Sequence, residues 1–143
     1  MLFRTHIVFN FLIALILIEK LKIKKQILFT LIICFFGVFP DLDEKKSYLG
    51  KHILVKLKHR RFLHTIYPGT LISLFLFHFN PLMSFGVIIG YLAHLFLDGL
   101  TKKGITPFYP LKKKLKGFIK VGSWLENILF SFFLFIVIYK LLF

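Results

Sequence analysis

His94 and Asp98 are the only acidic, basic or imidazole side chains between Pro81 and Thr101. They sit four residues apart inside GYLAHLFLDGLTKKGITPFYP, which runs from Gly90 to Pro110 and whose first half is apolar and helical in character. On an α-helix this spacing places both side chains on one face, one above the other. The helix is expected to stop just after them, because Gly99 and Gly104 leave helical geometry cheaply and Pro107 bars its return. An imidazole and a carboxylate at the end of a greasy helix could share a divalent metal ion. A local hydrogen-bonded pair is the plainer alternative. The choice between them turns on whether other segments deliver further ligands to the same place.

The elements that would do so are strongly apolar. The chain has 143 residues, with no linker to divide it, and reads as a single membrane-embedded domain over residues 1–143. Hydrophobic residues make up 57%, twenty residues are phenylalanine, and the mean hydropathy is +0.79, which is too apolar for a soluble domain of this size. Five apolar runs follow one another: Ile7–Ile18, Ile27–Phe39, Ile66–Phe79, Leu82–Leu97 and Ile128–Tyr139. Each has 12 to 16 residues, whereas a full crossing takes about 20. One such run alone could be a core helix or a re-entrant segment, but five in so short a chain are hard to bury outside lipid. Lysines at their ends can snorkel and let each helix extend past its apolar stretch. The expected fold is therefore all-α, a multi-pass membrane helical bundle of four or five short spans. Asn80-Pro81 should turn between the third and fourth runs, and Pro68 is tolerable in the first turn of the third. Arg4 and the run after it resemble a signal-peptide start, but Glu19-Lys20-Leu21-Lys22 follows with no small-residue cleavage site, so the run reads as a retained span. Cys34 lies within an apolar run, which leaves no disulfide framework and little prospect of thiol chemistry.

The net charge of +14 does not describe a folded basic face, because the charges cluster between apolar runs; no nucleic-acid partner is expected. If the five runs alternate in direction, fifteen of the twenty Lys and Arg fall on one side and five (Lys20, Lys22, Lys24, Lys25, Lys140) on the other. Basic loops stay in the cytoplasm, so the N-terminus is placed inside a cytoplasmic (inner) membrane. That count used Lys and Arg alone. It nevertheless gathers His6, Asp41, Asp43, His64, His94, Asp98 and Glu126 at the cytoplasmic face, and ionisable groups at the edge of hydrocarbon are functional candidates.

Three imidazoles and three aspartates, without thiolate, suit zinc, manganese or ferrous iron, with zinc or manganese the first expectation. Six ligands (His6, Asp41, Asp43, His64, His94, Asp98) exceed what one tetrahedral ion needs, so one or two ions could be held. Such sites clamp the oxygens of a phosphoester. Glu126 is then the spare carboxylate for general-base or ligand-orienting work, and Arg60 with Arg61 would hold an anionic group through forked hydrogen bonds. Each residue also has a plainer reading. His6 could be an interfacial residue at a helix start, Asp41 and Asp43 turn and cap residues, Arg60 and Arg61 topology charges, and Glu126 a helix-start carboxylate. His52 and His78 are assigned to structure alone, His78 falling on the opposite side of the membrane.

The order of an early Thr-His, then PDLD, HRxxxHT, GYLAHxxxDxxTxxGxxPxxP and GSxxE resembles the LexA-regulated, inner-membrane-associated metal-dependent hydrolases, the YdjM-like family. The resemblance covers His6 to Glu126. It implies a multi-pass bacterial or archaeal membrane protein classed as a metal-dependent hydrolase. Three positions depart from the family pattern: Arg61 stands where a glycine is usual, Thr65 where serine is, and Glu44 where a histidine often follows the second aspartate. The proposed ligands are intact. The expectation is a membrane-bound metal-dependent hydrolase working at the cytoplasmic surface of the bilayer on an anionic, phosphoester or lipid-like substrate. A non-catalytic metal- or ion-binding membrane protein, or a transporter, is the alternative; gathering the charges at one surface instead of at mid-bilayer counts against transport.

Overall fold

A computed structural model describes residues 1–43, 62–111 and 113–143, with Leu42 and Asp43 described as backbone only. Five helices account for most of it: α1 (Phe3–Leu21), α2 (Gln26–Phe36), α3 (Ile66–Phe77), α4 (Pro81–Gly99) and α5 (Trp124–Leu142). A short 3-10 helix, Phe39–Asp43, follows α2. Among the described residues there is no strand, only isolated bridges that pair Thr101 with Ile119 and Ile105 with Leu115. The all-helical expectation stands.

Helices α1, α4 and α5 each reach 19 residues and run past their apolar stretches at both ends, with Lys20 and Lys140 in the last turns of α1 and α5 able to snorkel. Two of them, Pro81–Gly99 and Trp124–Leu142, are long and apolar enough to cross a membrane. The second run is shorter in α-helix than its apolar length suggests. Pro40 has no N–H to give the Phe36 carbonyl, so the α-helical ladder does not run through it, and after α2 ends at Phe36 the chain tightens into the 3-10 turn. At the other end of the bundle, Asn80 caps α4 with its side-chain oxygen, which accepts from the N–H groups of Leu82 (3.0 Å) and Met83 (3.2 Å). Pro81 occupies the first helical position, where a missing N–H does no harm.

The bundle buries several polar side chains beside its apolar core and exposes many large apolar ones. Thr5, His6, Asn10, Ser84, His94 and Glu126 are buried, while Leu31, Phe35, Leu74, Phe75, Phe132 and Phe135 are exposed. Helices α3 and α4 are stitched by serines: Ser84 Oγ donates to the Ser73 carbonyl at 2.7 Å, and the two hydroxyls lie 2.9 Å apart. Helices α2 and α4 approach so closely that a Cβ on Gly90 would come within 2.4 Å of the Ile33 carbonyl oxygen. Ala14, Ile23, Phe29 and Ile33 form the apolar core beside this contact. Helices α1 and α5 run parallel, since Leu2 meets Glu126 at their starts and Glu19 pairs with Lys140 at their ends.

Candidate metal centre

This packing puts the start of α1, the turn after α2, the residues before α3, the end of α4 and the start of α5 at one end of the bundle. His94 is the fixed point. It is fully buried on α4, and its Nδ1 lies 2.8 Å from the carbonyl oxygen of Gly37. A carbonyl only accepts, so Nδ1 carries the proton and Nε2 presents a bare lone pair. That lone pair faces Asp98 Oδ2 at 3.7 Å and Asp41 Oδ1 at 3.8 Å, with no hydrogen-bond partner among the described residues. His64 brings a second nitrogen, with Nε2 3.6 Å from Asp41 Oδ1 and 3.7 Å from Asp98 Oδ2.

One ligand atom from each of Asp41, His64, His94 and Asp98 lies within 4.8 Å of the others. Ligand atoms about 2.1 Å from a tetrahedral ion stand about 3.4 Å apart. The four nitrogen–oxygen separations of 3.6–3.8 Å are close to that value and too long for hydrogen bonds. Two imidazoles and two carboxylates with a lone pair aimed between them could hold a metal ion.

His6 stands at the rim of this group. Its ring stacks on His94 with centroids 4.1 Å apart, and its Nε2 is 3.3 Å from Asp98 Oδ1. The Met1 amino group also contacts that oxygen. Asp43 closes the 3-10 helix; its side chain lies outside the described residues, as do Arg60, Arg61 and His52. His78 is at the far end of α3, away from the cluster.

Glu126 is fully buried and both of its oxygens are engaged. Oε1 accepts from the Leu2 N–H at 2.5 Å and the Thr5 hydroxyl at 3.2 Å, while Oε2 accepts from the Gly122 N–H at 2.7 Å. It therefore ties the start of α1 to the start of α5.

Several supporting groups carry no signal in the ligand pattern. The Gly37 carbonyl that orients His94 is one, because a backbone acceptor can belong to any residue. The Tyr91 hydroxyl is another: it donates to the Leu63 carbonyl and so fixes the segment that carries His64. Tyr91 could have been found from its place three residues before His94, which is on the same helix face. Beyond Asp98, the Thr101 hydroxyl donates to the Asp98 carbonyl at 2.7 Å and accepts from the Gly104 N–H at 3.2 Å. Gly104 has φ +63°, and a Cβ there would also come within 2.2 Å of the Leu115 carbonyl oxygen, so both the backbone and the space call for glycine. The Pro107 carbonyl then accepts from the Ile66 N–H at 2.9 Å, so the loop after Asp98 clamps the segment after His64.

Residues 1–142 match the family described as YdjM inner membrane protein, and the chain belongs to it. Comparison with curated proteins and with solved structures finds no match. Membership in an inner-membrane family accounts for the apolar exterior, which meets lipid.

Proposed function

We propose that this member of the YdjM inner membrane protein family is a metal-dependent hydrolase, working at the cytoplasmic surface of the bilayer on a phosphoester or lipid-like substrate. The observation that carries the reading is His94, whose tautomer is fixed by Gly37 so that a buried lone pair points between two carboxylates. A buried acceptor left without a partner calls for one, and with two carboxylates beside it a metal ion is the partner proposed. Asp41, His64, His94 and Asp98 hold the ion, with His6 and Asp43 as further ligands should a second ion bind. A divalent ion held there would supply Lewis-acid chemistry to a phosphoryl or carbonyl oxygen and to water. Around it, the His94–Gly37 and Tyr91–Leu63 bonds hold the imidazole-bearing segments in place. Arg60, which lies outside the described residues, is the residue proposed for the anionic part of the substrate.

The bundle is multi-pass, with the N-terminus and the site on the cytoplasmic side. Fifteen of the twenty basic residues lie in Arg4 and the two segments that flank the site, and that asymmetry supports the orientation. Glu126 supports a second reading. Its two oxygens already accept from three donors, so its contacts suit a residue that positions α1 and His6 better than a free general base. A metal-binding membrane protein without catalysis would need it only in that role.

Purified protein in detergent, supplied with Mn²⁺ or Zn²⁺, separates the two on a panel of phosphoester, ester and amide substrates. The hydrolase is expected to turn over at least one class, with loss of ~10²-fold or more in Asp41→Asn. Bound metal with no turnover across the panel would favour the binding protein.

A further inference from the structure

We infer that a second site, separate from the metal cluster, lies at the start of α5 and holds the phosphate of an anionic phospholipid headgroup. A cavity of about 410 Å³ opens there, walled by Lys102, Phe118, Lys120, Ser123 and Trp124. Lys102 follows the end of α4 and Lys120 lies on the segment leading into α5. The two segments are joined where the Lys102 N–H donates to the Ile119 carbonyl at 2.8 Å. Among the described residues neither lysine ammonium has an ion-pair or hydrogen-bond partner.

Ser123 adds a neutral donor. A serine at this position usually accepts from the first amides of its helix. Ser123 caps α5 in position only: its side chain makes no such bond, and its Oγ is buried without a partner among the described residues. The hydroxyl and the first amides of α5 are thus not engaged with each other. The polar side chains of the lining are two ammoniums and a hydroxyl, set beside a helix start, and carry no carboxylate, a set that takes an oxyanion.

The surroundings select the molecule that carries the anion. Phe118 and Trp124 are each 69% exposed at the mouth of the cavity, and an exposed Trp at the end of a membrane helix belongs at headgroup depth. Along α5, Ile128, Phe132 and Phe135 point outward in one stripe, which offers a track for an acyl chain directly below the phosphate. Glu126 does not oppose the anion from within the cavity: it is no part of the lining, and its charge is met by the Leu2 and Gly122 amides and the Thr5 hydroxyl. The inference does not depend on hydrolysis.

Thermal unfolding of the purified full-length protein in an uncharged detergent provides the test, titrated with short-chain phosphatidylglycerol, short-chain phosphatidylcholine or inorganic phosphate. Phosphatidylglycerol should raise the unfolding temperature saturably, and phosphatidylcholine and inorganic phosphate should do so weakly or not at all. The double variant Lys102→Ala/Lys120→Ala should weaken the phosphatidylglycerol effect about thirtyfold, since each lysine near a charged headgroup contributes about fivefold. Both side chains are exposed, so the unliganded unfolding temperature should not move. The double variant Lys113→Ala/Lys114→Ala removes the same charge outside the cavity and should bind as the parent does. Equal weakening in both doubles would replace the site with diffuse attraction and overturn it. Inorganic phosphate binding as tightly as phosphatidylglycerol would overturn the lipid assignment, and so would an equal response to phosphatidylcholine.

Discussion

Because a backbone carbonyl only accepts, the 2.8 Å contact from Gly37 settles which nitrogen of His94 faces Asp41 and Asp98. The helical spacing of His94 and Asp98 was legible in the sequence, and so was the arrival of His64 and Asp41 at the same end. The tautomer was not, since nothing in a residue's identity reveals which carbonyl will meet an imidazole. Glu126 shows the same limit from the other side. Its type suggested a base, and only the fold reveals three donors on its two oxygens. Glu126→Gln replaces an acceptor oxygen with an NH₂ that must face a donor. It should cost about 1–3 kcal/mol in thermal unfolding while leaving bound metal in place. Undiminished stability together with a ~10²-fold loss of hydrolysis would restore the general-base role.

At the scale of elements, the cluster depends on how closely α2 and α4 pack, because Asp41 is carried by the turn after α2 and His94 by α4. Gly90 is the point of contact, where the backbone of Ile33 leaves no room for a methyl group. Gly90→Ala must push the helices apart, so it should destabilise by about 1–3 kcal/mol and weaken metal binding with it. Gly99→Ala meets nothing within 4 Å and should be silent in both measurements, which makes it the matched control. Equal behaviour of the two variants would show that helix approach does not set the site. The helices themselves were largely legible: apolar runs marked all five, and Pro81 and Asn80 marked a start. Their ends were less so. The run Ile27–Phe39 is uniformly apolar, yet Pro40 redirects its last turn. Likewise Phe79 is apolar but lies beyond α3, in the turn that Asn80 closes.

For the whole molecule, the many exposed phenylalanines follow from one solvent, a bilayer, in which an apolar exterior carries no penalty. The parallel course of α1 and α5 agrees with alternating direction through five helices and puts Lys24 and Lys113 at opposite ends. In a Cys34→Ser background, single cysteines at those two positions should label from opposite sides of the membrane. Labelling from the same side would remove the charge argument that gathered the ligands. The central claim is that Asp41, His64, His94 and Asp98 hold a divalent ion. Elemental analysis of the detergent-purified protein tests it most directly, with His94→Ala, Asp98→Ala and the distant His78→Ala measured alongside. The parent and His78→Ala should carry at least one zinc or manganese per chain. His94→Ala and Asp98→Ala should lose most of it while still inserting in the membrane. Metal-free parent protein, or equal metal loss in all three variants, would contradict the account.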